Sequence, residues 1–374
     1  MSSEKPKIVN ESLFRSSEWD DYPMKRDDKH TNKIIEPDFM PLSDVSKPDA
    51  LPNGYVFSEF TFDEANMIKL CAFINSSKDP EPSPLFSVSH LKWVLIPGSI
   101  VVTVNVSSSD KIVGSVCARP IIYRVDGRVI NTFEVGWLCT LKELRGKRLA
   151  SMLMKELYRR VYVLQRDCGI IFATTRQLPS LPLVNGVSLL KRSLTVTGAS
   201  GGVEATKNLD LIRFANMRDV SRMMKIYRSY AVDAKKWRLY REYTRREFEH
   251  TFLRRSDVTT YVIRTDRGDV KDFISLTTNV SNASNVSNAD SAKTGHIHFV
   301  SFVNDKLLEI FLQNVLHILA KNGYSAVYIE DVNGVSEVCR SKLGFECVQT
   351  KWYYQFNYNT KTISLEQSQF ITHF

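Results

Sequence analysis

Paired cysteines are missing from this chain. Its six, at positions 71, 117, 139, 168, 339 and 347, show no C-x-x-C spacing. That argues against a zinc site or a disulfide framework and predicts reduced thiols in an intracellular compartment. No run approaches the roughly 20 apolar residues of a membrane span. The opening Met1-Ser-Ser-Glu-Lys-Pro-Lys7 has no apolar signal core. These absences predict a soluble, cytoplasmic protein without a transmembrane segment. Acid is also in short supply: 50 Lys and Arg face 41 Asp and Glu, a net charge of +9. Such a balance favours anionic partners, whether nucleotide cofactor, acidic lipid or nucleic acid, without choosing among them. Neither a base-stacking platform nor a recognition helix is visible, so nucleic acid is not expected. What is present is globular, with 43% hydrophobic and 11% aromatic residues. At 374 residues the chain exceeds one ordinary core. Two domains, or one core built from two similar halves, are expected.

The most informative stretch is Glu134-Val-Gly-Trp-Leu-Cys-Thr-Leu-Lys-Glu-Leu-Arg-Gly-Lys-Arg-Leu-Ala150. Residues 132–139 are apolar and rich in β-branched and aromatic side chains, which predicts a buried strand. Gly136 inside it marks a bulge or a close backbone approach. Leu149, Leu153, Leu157 and Val161 recur at helical spacing, with Met152 and Met154 beside them, predicting a helix over 149–164. Arg145, Gly146, Lys147 and Arg148 sit between the two. One reading is a basic helix start facing solvent. The other is a phosphate or pyrophosphate cradle, because the glycine allows close approach and helix N-terminal N–H groups and cations attract anions. A bulged strand followed by such a turn matches the acyl-CoA fold of the N-acetyltransferase type, and that context favours the cradle.

Residues 1–50 are polar apart from Phe14, Trp19 and Tyr22-Pro-Met24, which suggests an arm laid across the body. Helices are expected over 62–75 and 87–95. Strands are expected over 100–106, 111–118, 120–123, 129–138 and 169–174, a β-β-β-α-β order. Residues 176–206, with Pro179, Pro182 and Gly201-Gly202, read as a loop, and the boundary is set there near 200. A second copy of the pattern follows. Its helices fall at 217–232, 244–253, 306–321 and 335–343, and its strands at 260–264, 271–278, 296–303, 326–330 and 350–356. A polar loop over 279–293 repeats Asn-Val-Ser and Asn-Ala-Ser. The organisation predicted is an arm over 1–50 and two similar halves over 51–200 and 201–374. The fold class is α/β (α+β), a tandem N-acetyltransferase-like fold with pseudo-two-fold symmetry.

These residues together bring out a family resemblance. Glu134-Val-Gly-Trp-Leu-Cys139 followed by Leu144-Arg-Gly-Lys-Arg148 resembles the E-I-N-F-L-C and L-R-S-K-R signature of the glycylpeptide N-tetradecanoyltransferases, the protein N-myristoyltransferases. Leu51-Pro-Asn-Gly-Tyr-Val-Phe57, Lys111-Ile-Val-Gly-Ser115, Leu178-Pro179 and Lys191-Arg-Ser-Leu194 resemble further family motifs, in the same order. So do Tyr243-Thr-Arg-Arg-Glu-Phe-Glu-His-Thr-Phe252, Leu343-Gly-Phe345 and Trp352-Tyr-Tyr-Gln-Phe-Asn-Tyr358. The likeness runs from about Trp19 to Tyr358.

The resemblance implies an acyltransferase that moves a tetradecanoyl group from tetradecanoyl-CoA to the N-terminal glycine amine of protein substrates, acting as a monomer and using no metal. It implies that the half over 51–200 binds acyl-CoA and the half over 201–374 binds peptide, with its C-terminus buried. The backbone N–H groups of Trp137 and Leu138 would polarise the thioester carbonyl. Cys139, Arg145, Gly146, Lys147, Arg148 and Leu149 would complete the CoA site, with Ser16, Ser17, Glu18 and Trp19 covering it. The family has serine where Gly146 stands, and a Phe-Trp pair where this chain has Glu18-Trp19. The base would be the C-terminal α-carboxylate, here on Phe374, and the apolar Ser368-Gln-Phe-Ile-Thr-His-Phe374 suits burial. Departures gather on the acceptor side: Asn75-Ser-Ser-Lys-Asp79 lacks most of the family's acidic charge, and Ser83-Pro-Leu-Phe86 keeps one aromatic. Gly295-His-Ile-His-Phe-Val-Ser-Phe302, Glu346-Cys-Val-Gln-Thr350 and Ala173 also differ from the family pattern. A divergent enzyme with altered peptide preference is expected, and the alternative is an acyl-CoA-binding regulatory homologue with impaired catalysis.

Overall fold

The structure, a computed structural model, describes residues 33–34, 48, 50–77, 85–165, 167–175, 177–178, 181–194, 209–233, 237–281, 292–302, 305–356 and 358–369. Of the expected arm it describes little more than β1 (Lys33–Ile34), and the anchors Phe14, Trp19 and Tyr22 lie outside the described residues. The first half then runs β2 (Tyr55–Glu59), α1 (Glu64–Ser77), α2 (Val88–Val94), β3 (Ile100–Val106), β4 (Ile112–Val125), β5 (Arg128–Thr140), α3 (Leu149–Leu164) and β6 (Gly169–Thr174). After β7 (Val184–Ser193) come β8 (Ile212–Phe214), α4 (Val220–Arg228), β9 (Leu239–Glu242), α5 (Arg245–Phe252), β10 (Val258–Arg264), β11 (Val270–Ser281), β12 (Ala292–Val300), α6 (Asp305–Lys321) and β13 (Tyr324–Glu330). The chain closes through β14 (Glu346–Phe356), β15 (Tyr358–Asn359) and β16 (Ser368–Gln369).

One sheet carries both halves, in the order β16-β9-β4-β5-β6-β14-β7-β13-β12-β11-β10-β8, with β2 and β3 joined to β4. The same device occurs twice in it. β5 and β6 are parallel neighbours joined through α3, and β12 and β13 are parallel neighbours joined through α6. Parallel neighbours need such a crossover, and the helix covers the sheet face. Leu153, Leu157 and Val161 of α3 pack on Val102, Val104, Val113 and Val116. Leu308, Leu312, Val315 and Leu319 of α6 pack on Ile274, Leu276, Ile297 and Val327. All of these side chains are buried, each contributing about 1.5–3 kcal/mol relative to exposure. The tandem α/β architecture expected from the sequence is the one observed.

Several elements differ from expectation. The two strands expected around Pro120 are one, because β4 pairs with β3 only as far as Ala118 and with β9 only from Ile122. Pro120 therefore falls where the strand has a neighbour on one side, and its missing N–H interrupts one ladder at most. The expected loop over 176–206 contains β7, a central strand between β14 and β13, with Val187 and Leu190 fully buried. Prolines upstream and Gly186 masked a run whose strand state comes from pairing on both edges. β9, four residues long, was not foreseen for the same reason. The helix expected over 335–343 is a wide π-type turn at Val338–Lys342, and α4 ends at Arg228 in another such turn, Ser229–Asp233.

Candidate active site

The site grows out of a defect in β5. Cys117 faces Gly136 and Ser115 faces Cys139, so Trp137 and Leu138 together oppose Val116. This is a bulge, which breaks the ladder and bends the strand. Trp137 takes a left-handed backbone, φ +50°, an uncommon state for a bulky aromatic that persists only when neighbours enforce it. Those neighbours are Phe86 and His90, with ring centroids 5.4 and 6.3 Å from that of Trp137. Leu138 turns outward and is 43% exposed.

Pairing of β5 with β6 stops at Val135–Phe172, although both strands continue, to Thr140 and Thr174. The divergence opens a wedge of about 120 Å³ between Glu134–Trp137 and Ile171–Ala173, closed at the back by Lys351 and Tyr353 of β14. Beyond the bulge the chain makes a single turn at Lys142–Leu144. Gly146 (φ +78°) and Arg148 (φ +63°) then swing it into α3. That helix has no side-chain cap and no acid in its first turn, so its dipole and N–H groups are open to an anion. Arg145 donates to the Ser77 carbonyl at 2.8 Å, while Lys147 and Arg148 are exposed at the helix entrance.

Two buried charge groups stand behind the wedge. Arg119 and Glu134, each 2% exposed at the side chain, form an ion pair across β4 and β5. Burial pushes the Glu134 carboxyl up, and Arg119 and Arg241 only partly oppose it. Glu330, ending β13, accepts from Lys351 Nζ at 3.0 Å and from the Tyr353 hydroxyl at 2.9 Å. Burial works against its ionisation, but Lys351, His296 and those hydrogen bonds outweigh it and hold the carboxyl below its ordinary value. The second half repeats the wedge. β12 and β13 stop pairing at Ile297–Ile329, and His298 is the extra residue of a bulge against β11. The resulting cleft, about 20 Å³, is lined by His296, His298, Glu330, Asn333 and Gln369. Burial lowers the His296 ring to about 4 and pushes His298 well below its usual value.

Of the residues singled out from the sequence, Trp137, Leu138, Cys139 and Arg145 to Leu149 form one continuous path from strand to helix. Ser16, Ser17, Glu18, Trp19 and Phe374 lie outside the described residues. The chain is described as far as Gln369, which is 2% exposed beside His296 and His298. Sequence reasoning missed Arg119, Glu330, Lys351 and the two wedge histidines as a connected group. The available signal was charge inside apolar strands, which costs too much to bury there without a partner.

Parallel strands that splay after a bulge, with a bare helix N-terminus at the mouth, define an acyl-CoA-type N-acyltransferase fold, here in tandem. The chain belongs to the N-myristoyltransferase family. Residues 35–181 match the N-terminal domain, and residues 191–372 the C-terminal domain, of myristoyl-CoA:protein N-myristoyltransferase. Glycylpeptide N-tetradecanoyltransferase 1 of Arabidopsis thaliana is 26% identical over 363 residues, covering 88% of this chain and 81% of that one. The Drosophila melanogaster glycylpeptide N-tetradecanoyltransferase is 25% identical over 286 residues, or 69% of this chain and 60% of the relative. The structure of Saccharomyces cerevisiae N-myristoyltransferase with bound myristoyl-CoA shares the fold, with a TM-score of 0.79 at 19% identity and 94% of each chain covered. No helix among the described residues is long and apolar enough to cross a membrane.

Proposed function

We propose that this protein transfers a tetradecanoyl group from tetradecanoyl-CoA to the N-terminal amine of glycine-led peptides, as a monomer in the cytoplasm. The observation that carries this reading is the bulge that holds Trp137 left-handed at the mouth of the wedge. The main-chain N–H groups of Trp137 and Leu138 are assigned to the thioester oxygen, where negative charge develops as the amine adds to the carbonyl carbon. One such donor is worth about 3 kcal/mol of barrier. Addition forms the C–N bond. Collapse of the adduct restores the carbonyl and breaks the C–S bond, and sulfur leaves with that bond's electron pair. The second amine proton passes to the sulfur, giving the amide and the free CoA thiol. The start of α3, with Arg145, Gly146, Lys147, Arg148 and Leu149, is assigned to the phosphates of the donor, with Ser16 to Trp19 as its cover.

The incoming ammonium must lose a proton before it can attack. The carboxylate of Phe374 is the assigned acceptor, supported by the burial of Ser368 and Gln369 just before it. An acceptor preference altered from the family pattern is assigned to the same wedge, which is lined by Ala173 and by Lys351, whose ammonium is paired with Glu330. Incubation with tetradecanoyl-CoA and a panel of glycine-led peptides tests the reading. Transfer is expected to at least one peptide, to be lost when residues are appended after Phe374, and to leave CoA binding unchanged. Arg148→Ala with Lys147→Ala is expected to raise KM for the donor with little change in kcat. CoA binding without transfer to any peptide would replace the enzyme by a binding homologue.

A further inference from the structure

A cavity of about 620 Å³ lies between α4, β9, the start of α5 and the Asp126–Gly127 turn, and it shares no lining residue with either wedge. Its walls are aromatic, with Tyr227, Trp237, Tyr243 and Phe248. The acids that reach it are neutralised in place: Asp126 is bonded by Arg238 at 2.6 and 2.9 Å, and Glu242 by Arg124 at 2.7 and 3.3 Å. Arg241 is different. It is 2% exposed, and its guanidinium lies 4.6 Å over the Tyr243 ring. Among the described residues its Nε and Nη1 have no hydrogen-bond partner, and neither does the Tyr243 hydroxyl. Glu134 attracts Arg241 electrostatically, but its ion pair and hydrogen bond are with Arg119.

Buried donors are satisfied almost without exception in folded proteins, and a guanidinium is the costliest of them to leave bare. Stacking on Tyr243 uses the face of the group and leaves its in-plane N–H bonds for an acceptor. We propose that this cavity binds a small organic anion, a carboxylate or phosphate carried on an aromatic ring, with the anion on Arg241 and Tyr243 and the ring among Trp237, Tyr227 and Phe248. The volume falls within the range of about 300–1,000 Å³ typical of small-molecule sites, and so does the pairing of apolar walls with a few convergent polar groups.

Calorimetric titration of the full chain in excess CoA, which keeps probes out of the first wedge, tests the proposal with 2-naphthoate, 2-naphthyl phosphate and the neutral 2-naphthylmethanol. At least one anion is expected to bind tenfold or more tighter than the alcohol, and the better of the two identifies the acceptor group. Arg241→Gln should weaken that anion at least tenfold. Met224→Trp, which fills the cavity and leaves Arg241 in place, should abolish binding and decides the matter if Arg241→Gln does not fold. Equal affinity for all three probes, no binding of either anion to the native chain, or unchanged binding by Met224→Trp would overturn the proposal.

Discussion

Arg119 and Glu134 face each other across β4 and β5 with almost no solvent. Removing both from water is expensive, and removing one partner afterwards is worse, because the survivor keeps its desolvation cost without its counter-charge. Arg119→Met is therefore expected to destabilise the protein by about 3–5 kcal/mol. Arg119→Met with Glu134→Leu should recover part of that loss, since the buried Arg241 then loses the Glu134 charge as well, as read by urea unfolding of the single and double variants. His296 makes a pH prediction. Its folded pKa of about 4 lies below the ordinary 6.5, so the unfolded chain takes up this proton first as pH falls. Stability from this group is full above 6.5, declines between 6.5 and 4, and levels off below. Histidine NMR should show a midpoint near 4, and the fall in melting temperature over that window should be shallower in His296→Gln.

At the scale of elements, the seating of α3 on the sheet decides where the helix N-terminus points. Gly114 of β4 makes that seating close: a Cβ there would come within 2.9 Å of Leu153 Cδ1 and 3.2 Å of Leu149 Cδ2. Leu153 is fully buried and has no room to move. Gly114→Ala should cost about 1–3 kcal/mol and, by tilting α3, raise KM for an acyl-CoA donor more than it changes kcat. The second half has its own local signature in α5. Thr244 accepts from the Glu247 amide while the Glu247 carboxylate accepts from the Thr244 amide, a capping box. Thr244→Ala is expected to lower stability by about 1 kcal/mol, measured by thermal unfolding.

Among the described residues one large sheet is shared by two similar halves, beside the two-stranded β1–β15 pair, and the pairings at the junction cross between the halves. β4 takes β9 as a neighbour, and β6 takes β14. A fragment of residues 51–200 would expose the edges of both β4 and β6, where Ile121, Tyr123, Ile170 and Ile171 are now buried. The fragment is expected to lack near-UV circular dichroism and a cooperative melt, whereas the full chain shows both.

Helix α3 and strand β6 were legible residue for residue, since 3.6-residue spacing and a short apolar run are local signals that packing reinforced. Gly136 pointed to a bulge or a close approach in β5, and the basic turn at Arg145 to Arg148 was legible too, because a glycine inside a strand and cations clustered at a helix start are local signals. By contrast, β7 and β9 carry weak local signals and become strands through partners far away in sequence. The Glu330–Lys351–Tyr353 group and the Arg241 cavity were invisible for a related reason. Each joins residues of low individual meaning, from strands distant in sequence, and a charge acquires its character only when burial removes water around it. Sequence by itself determined the periodicities, the glycine within β5 and the basic turn, which depend on neighbours along the chain. Tertiary structure alone decided which charges are desolvated together, because that depends on how the two halves close one sheet.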